Sequence, residues 1–198
     1  MGKKARKERE EKRESFAAKR SRQKRKSVLM AAGVLGVIAV IVGYSAYAFV
    51  NMQGAGPGAP PGAGALGDEH EHISLLVRIF GDKFDFSLPA YQIKSSWIHF
   101  EGADGNTVHR HASGVTMGYL FESLGLTLTD ECFIFQDGRE FCTNEDYSLK
   151  FYINHQPVDS ILDHVGEEDD RILISYGNET PEEIDEQLQE LDSQAIIK

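Results

Sequence analysis

An uninterrupted apolar segment near the N-terminus constrains this chain more than any other feature. Val28 to Val50 is a run of 23 residues without a charged side chain. At a rise of ~1.5 Å per residue, a helix of this length crosses the ~30 Å hydrocarbon core of a bilayer. The segment therefore predicts a single transmembrane helix over residues 28–50, and it excludes a freely soluble cytoplasmic protein.

The charges on the two sides of this segment are opposite in sign. Residues 1–26 carry 13 basic and 4 acidic side chains, a net charge of +9, whereas residues 51–198 carry 8 basic and 27 acidic side chains, a net charge of −19. Positively charged flanks of membrane helices stay on the cytoplasmic side. We therefore expect a single-pass protein of the cell membrane, with a basic cytoplasmic segment over residues 1–27 and an extracytoplasmic C-terminal part.

Both N-terminal segments indicate a lipid partner. Residues 28–50 would contact the bilayer itself, and the Lys and Arg side chains of residues 1–26 would contact anionic lipid headgroups at about 1 kcal/mol each. No aromatic or glycine-rich recognition pattern accompanies the basic residues, so nucleic acid is not an expected partner. The alternative interpretation is a cleaved signal peptide ending near Ala46-Tyr47-Ala48, and it exports the same domain.

Composition divides the exported part into three. Residues 51–67 are rich in Gly, Ala and Pro, which predicts a flexible linker. Residues 68–177 are enough for one domain with one core. Residues 178–198 predict an acidic C-terminal helix and tail, because Thr180-Pro181-Glu182-Glu183 is typical of a helix start. Asn178 begins an Asn-Glu-Thr sequon and is a candidate glycosylation site in an exported loop.

The exported domain is predicted to be α+β. Apolar runs on either side of short glycine-containing turns predict three hairpins, and further strands are expected over residues 149–153 and 171–176. The one internal helix predicted is Val115 to Leu124, because its apolar residues recur on one face. We expect an antiparallel or mixed sheet with one packed helix, in a β-grasp-like arrangement.

The two cysteines flank one of these hairpin turns. If Gln136-Asp137-Gly138 is a three-residue loop, Cys132 lies directly opposite Cys142, whereas a two-residue turn would point the two sulfurs to different faces. Disulfides persist outside the cytoplasm, where this domain is predicted to lie. We therefore expect a structural Cys132–Cys142 disulfide. Nine intervening residues are not the spacing of a redox-active Cys-x-x-Cys motif, so redox catalysis is not expected.

Five of the seven histidines lie between residues 70 and 111. Four of them form two His-x-His pairs, and residues i and i+2 of a strand project from the same face. If residues 103–105 are a three-residue loop, His99 pairs with His109 and joins the same face. A two-residue turn at residues 104–105 would put His99 on the opposite face. The candidate metal ligands are therefore His70, His72, His99, His109, His111 and Glu101.

Imidazoles with a nearby carboxylate and no thiolate suit Zn(II) or Cu(II). Two other interpretations stay open. In the first, the histidines lie on a solvated sheet face of a structural or interaction module, with an envelope protein as its partner and no metal. In the second, the domain is a zinc enzyme in which Glu101 orients a water molecule or acts as a base. The sequence assigns no catalytic residue.

Four stretches of the domain together resemble a known family. They are His70-Glu71-His72, Asp85-Phe86, the run His-Arg-His-Ala-Ser-Gly-Val-Thr over residues 109–116, and the closing residues 171–177. The chain is similar over a little over half of its length to a family of small, membrane-anchored, exported archaeal proteins. Members of that family are uncharacterised and are sometimes labelled protein-disulfide isomerase. This sequence has no Cys-x-x-Cys motif, so the resemblance implies the architecture and no chemistry.

Overall fold

The N-terminal part of the chain is one continuous helix. In the computed structural model, α1 spans Gly2–Asn51. Within it, Lys12–Tyr47 is 36 residues long and, by length and composition, apolar enough to cross a membrane. Large apolar side chains between residues 28 and 42 are exposed along it. Exposed apolar surface costs about 25 cal/mol per Å² in water and is not penalised in hydrocarbon. The prediction of an apolar helix able to span a bilayer is therefore confirmed.

The structure describes residues 2–51 and 58–198, and the chain divides into two compact units, residues 1–52 and 53–198. Residues 52–57 of the predicted linker lie outside the described residues. The rest of that predicted linker makes backbone hydrogen bonds within the second unit: Gly64 N donates to Ser113 O at 2.8 Å, and Gly67 N donates to His111 O at 2.6 Å. These bonds tie residues 64–67 to residues 111–113, within the histidine-containing run over residues 109–116.

The second unit contains strands and two helices in the order that the sequence suggests. The helices are α2 (Met117–Ser123) and α3 (Pro181–Ser193), and a single 3₁₀ turn covers Pro89–Tyr91. The strands are β1 (Glu71–Ile79), β2 (Asp82–Lys83), β3 (Ile98–His99), β4 (Thr107–Arg110), β5 (Thr127–Leu128), β6 (Cys132–Ile134), β7 (Glu140–Cys142), β8 (Ser148–Ile153), β9 (Gln156–Val158) and β10 (Arg171–Gly177).

Seven of these strands form one mixed sheet. Its order is β3-β4-β1-β10-β8-β9, and β2 pairs with β1 beside this path. The first strand, β1, and the last strand, β10, are parallel neighbours in the middle, and the flanking ladders are antiparallel. The expected α+β class with a mixed sheet is confirmed.

Both faces of β1 are buried, because helices and loops cover the sheet on its two sides. Ile73 and Val77 belong to the main core, together with the apolar face of α2. Leu76, on the opposite face of β1, packs with Leu173 and with the apolar stripe of α3. A second helix therefore packs on the sheet in addition to the one internal helix that we expected. Thr180 forms the predicted capping box at the start of α3.

The remaining three strands form a small sheet that carries the disulfide. Its order is β5-β6-β7, and Cys132 is the direct partner of Cys142 across β6 and β7. The two sulfurs are bonded. Gly138 has a positive φ of 86° in the turn, and Phe135 N donates to Arg139 O at 2.9 Å. The three-residue loop and the disulfide that it predicts are both confirmed.

Candidate metal centre

Three neighbouring strands bring three histidines into one row. His109 of β4 is the direct partner of His99 on β3 and of His72 on β1. Because directly paired residues of antiparallel strands project from the same face, the three rings lie side by side. Relative exposures are 7% for His72, 7% for His99 and 4% for His109, so the row is buried.

A second row lies next to the first. His70 precedes β1 by one residue and His111 follows β4 by one residue, so each is two positions from a histidine of the first row. Alternation along a strand returns both to the same face. The ring centroids of His70 and His111 are 4.5 Å apart. The predicted pairing of His99 with His109 is thus confirmed, and one sheet face gathers all five histidines of this segment.

The turn that sets this register differs from the expected three-residue loop at residues 103–105. Gly102 and Ala103 both have positive φ, 65° and 59°, and Asp104 N donates to Glu101 O at 3.0 Å. Positive φ at both central positions is the geometry of a type I′ turn. The Asp104 carboxylate then accepts hydrogen bonds from Asn106 N at 2.9 Å and Thr107 N at 3.1 Å, which directs the chain into β4.

The ring distances show how closely the imidazoles are packed. The His70 ring lies 4.6 Å from that of His72 and 6.0 Å from that of His109, and the His72 and His109 rings are 4.9 Å apart. One ligand nitrogen from each of these three residues lies within 4.8 Å of the other two. The His99 ring lies 4.9 Å from that of His111 and 6.1 Å from that of His109. The cluster of His70, His72 and His109 can hold a metal ion.

Hydrogen bonds to other groups fix the orientation of two of the rings. His72 Nδ1 lies 3.0 Å from Glu168 Oε2, and His99 Nδ1 lies 2.7 Å from the Ser95 carbonyl oxygen. Ionised carboxylate and carbonyl oxygens only accept hydrogen bonds, so each Nδ1 carries the proton and donates it. In a neutral imidazole this leaves the lone pair on Nε2, which is the arrangement found in metal-binding histidines.

Several ring nitrogens in the cluster have no hydrogen-bond partner although they are buried. They are Nε2 of His72, Nδ1 of His109 and Nε2 of His111. A buried polar atom without a partner costs about 1–3 kcal/mol. A cation bound at this sheet face would remove that cost, because the lone pairs of the three nitrogens would coordinate it.

The electrostatics of the cluster favour neutral imidazoles. Burial, together with the neighbouring histidines, lowers the pKa of His111 to about 4, although the Glu101 carboxylate acts in the opposite direction. Burial likewise lowers the pKa of His109. A metal ion binds the neutral form of imidazole, so at neutral pH it need not displace protons from these two residues.

Glu101 lies against the first row. Its Oε2 is 3.3 Å from His99 Nε2, and its Oε1 is 3.8 Å from His109 Nδ1. The hydrogen bond with His99 lowers the pKa of Glu101, outweighing the effect of burial. His99 already donates from Nδ1, so a neutral His99 ring presents the lone pair of Nε2 to this carboxylate. Two acceptor atoms this close need a proton or a cation between them.

Glu168 is the residue of this site that the sequence analysis missed. Its Oε2 accepts hydrogen bonds from both the backbone N of His72, at 2.7 Å, and the ring Nδ1. Burial raises the pKa of Glu168, but hydrogen bonds from Lys198 and His72 outweigh it and lower the pKa to about 2. No local motif marks Glu168, because it lies 96 positions from His72 in the chain.

The two remaining histidines of the chain and the candidate glycosylation site lie outside this cluster. His155 is hydrogen-bonded to the Asp192 carboxylate, and His164 is hydrogen-bonded to the Asp170 carboxylate. Asn178, the candidate glycosylation site, is exposed between β10 and α3. Comparison of the chain with family models, curated proteins and solved structures gave no match.

Proposed function

We propose that this protein is a membrane-anchored extracytoplasmic module that binds a divalent metal ion, Zn(II) or Cu(II), through clustered histidines. One observation carries the proposal. Ligand nitrogens of His70, His72 and His109 lie within 4.8 Å of one another, and two of these three residues are buried. Nitrogen donors without a thiolate suit both metals.

The surroundings of the cluster support the metal over a purely structural sheet face. A hydrogen-bonded structural cluster would satisfy its ring nitrogens within the protein, yet His72, His109 and His111 each keep a buried nitrogen without a partner. Glu168 orients His72 in the manner of an outer-shell carboxylate. A structural or interaction module without metal is the alternative, and it gains no support from these atoms.

The location of the domain is part of the proposal. The basic residues before the apolar part of α1 support a cytoplasmic N-terminus, with anionic lipid headgroups as their partner. A disulfide in the second unit agrees with an oxidising compartment. The central parallel pair of β1 and β10 supports a β-grasp-like arrangement, and the motif residues 109–116 support membership of the exported archaeal family.

Metal analysis of the full-length protein tests the proposal. The wild type, purified in detergent, loaded with Zn(II) or Cu(II) and dialysed, should retain metal stoichiometrically. His72→Ala/His109→Ala should lose the ion that these two residues hold, whereas His155→Ala, which removes an exposed histidine outside the cluster, should retain all of its metal. Equal metal content in the wild type and the double variant would reject the proposal in favour of the structural module.

A further inference from the structure

The cluster has more donor groups than a single tetrahedral ion needs. His70, His72 and His109 already supply three nitrogens within 4.8 Å of one another. His99, His111 and Glu101 lie beside that trio on the same face. If only one ion were bound, this second group would keep its own unsatisfied nitrogen and its own close contact with a carboxylate.

Among the residues that the structure describes, the first trio alone has its ligand atoms within 4.8 Å of one another, and the second group places further donors beside it. His99 and His111 have stacked rings with centroids 4.9 Å apart. His111 Nε2 is buried without a hydrogen-bond partner. His99 Nε2 lies 3.3 Å from Glu101 Oε2, and two ligand atoms on a tetrahedral zinc ion with bonds of ~2.0–2.1 Å lie about 3.3 Å apart.

Glu101 lies between the two groups, and its oxygens point to different histidines. Oε2 faces His99 at 3.3 Å, and Oε1 faces His109 at 3.8 Å. His109 belongs to the first trio, whereas His99 belongs to the second group. A carboxylate with this orientation can bridge two metal ions, and the ions of two-metal sites lie ~3.5–4 Å apart.

We infer that the sheet face holds two divalent ions rather than one. The first lies among His70, His72 and His109, and the second lies among His99, His111 and Glu101, with the Glu101 carboxylate between them. The inference rests on the proposed function, since it assumes that the first trio binds metal. The second position takes the same borderline cations, Zn(II) or Cu(II), because its donors are imidazole nitrogen and carboxylate oxygen.

Titration of the full-length, detergent-purified wild type with Cu(II) tests this without relying on any variant. Electron paramagnetic resonance should show an isolated Cu(II) spectrum at substoichiometric copper. Beyond about one equivalent, that spectrum should give way to one of a magnetically coupled pair. Total binding in the cluster should reach about two equivalents per chain.

Variants then show which residues bind the second equivalent of copper. His99→Ala/His111→Ala should reduce bound copper from about two equivalents to about one and abolish the coupling, and His155→Ala should leave both unchanged. Glu101→Gln, a smaller change, should weaken or abolish the coupling even if the double variant folds poorly.

The remaining outcomes distinguish failure of the second ion from failure of the proposed metal-binding function. Binding of one equivalent in the wild type would overturn the second ion and leave the proposed function intact. Two equivalents without coupling, or a second equivalent that survives His99→Ala/His111→Ala, would place that ion elsewhere and also overturn the inference. No retained copper at all would overturn both.

Discussion

Replacement of Glu168 should weaken metal binding although Glu168 supplies no ligand atom. Its carboxylate accepts hydrogen bonds from His72 N at 2.7 Å and from His72 Nδ1 at 3.0 Å. The second bond keeps the proton on Nδ1 and the lone pair on Nε2, the buried nitrogen that has no hydrogen-bond partner among the described residues. Without Glu168, the ring can rotate and can take the other tautomer.

The size of the effect follows from how many of these bonds a substitution removes. Loss of an outer-shell partner of a metal-binding histidine costs about 10- to 100-fold in affinity, or about 1.4–2.7 kcal/mol. Glu168→Ala removes both hydrogen bonds and the charge, so it should reach the upper half of that range. Glu168→Gln retains a carbonyl acceptor but no charge, so it should lie near the lower limit.

Competition with a chromophoric chelator measures the affinity for Zn(II) in the wild type and in both variants. Glu167→Ala is the matched control, because Glu167 is the exposed neighbour of Glu168 and makes its described hydrogen bonds through its backbone. Nitrogen NMR of the His72 ring should show the Nδ1-protonated tautomer only when Glu168 is present. A Glu168→Ala affinity within about twofold of the control would refute the role of Glu168 in orienting His72.

Three further measurements test the fold and the electrostatics of the site. Cys132→Ser/Cys142→Ser should lower the free energy of unfolding in chemical denaturation by about 3 kcal/mol, because the unfolded chain gains the conformational entropy that closure of this loop removes; an unchanged midpoint would contradict a structural role for the disulfide. In the metal-free protein, NMR should show that His111 stays neutral until about pH 4, against 6.5 for an ordinary histidine. The unfolded chain then binds more protons between these two values, so the metal-free protein should lose stability as the pH falls from 6.5 to 4; titration of His111 near its ordinary pKa would contradict this. Thr180→Ala should destabilise α3 and lower the thermal midpoint by the equivalent of about 1 kcal/mol, whereas Thr180→Ser should be nearly neutral; equal midpoints for both would show that the cap contributes nothing.

Local rules of strand geometry were sufficient to predict much of the candidate site. Alternation along a strand puts the two members of a His-x-His pair on one face, and a short glycine-containing turn brings His99 opposite His109. The pairing is as predicted, but the turn is not. Gly102 and Ala103 take the positive φ angles, and Gly105 has another role: a Cβ on Gly105 would lie 2.9 Å from the carbonyl carbon of Phe86. Such a close approach between distant segments cannot be deduced from the turn alone.

Contacts between distant parts of the chain could not be predicted in this way. Glu168 reaches His72 because the loop before β10 runs beside the start of β1, which requires the parallel pairing of the first and last strands. Residues 64–67 look like flexible linker by composition, yet Gly64 and Gly67 hydrogen-bond to the backbone after β4. A Cβ on Gly64 would clash with the side chains of Asp68 and Ser113, so glycine allows the close approach there, but no pattern in the sequence specifies the partner.

X-ray absorption at the zinc edge of the zinc-loaded, full-length protein tests the central claim most directly, because it reports the atoms that surround the ion. We expect a shell dominated by imidazole nitrogens at ~2.0–2.1 Å. The imidazole contribution should fall in His72→Ala/His109→Ala and stay undiminished in His155→Ala. A shell of oxygen atoms alone, or a spectrum that the double variant leaves unchanged, would contradict metal binding by the histidine cluster.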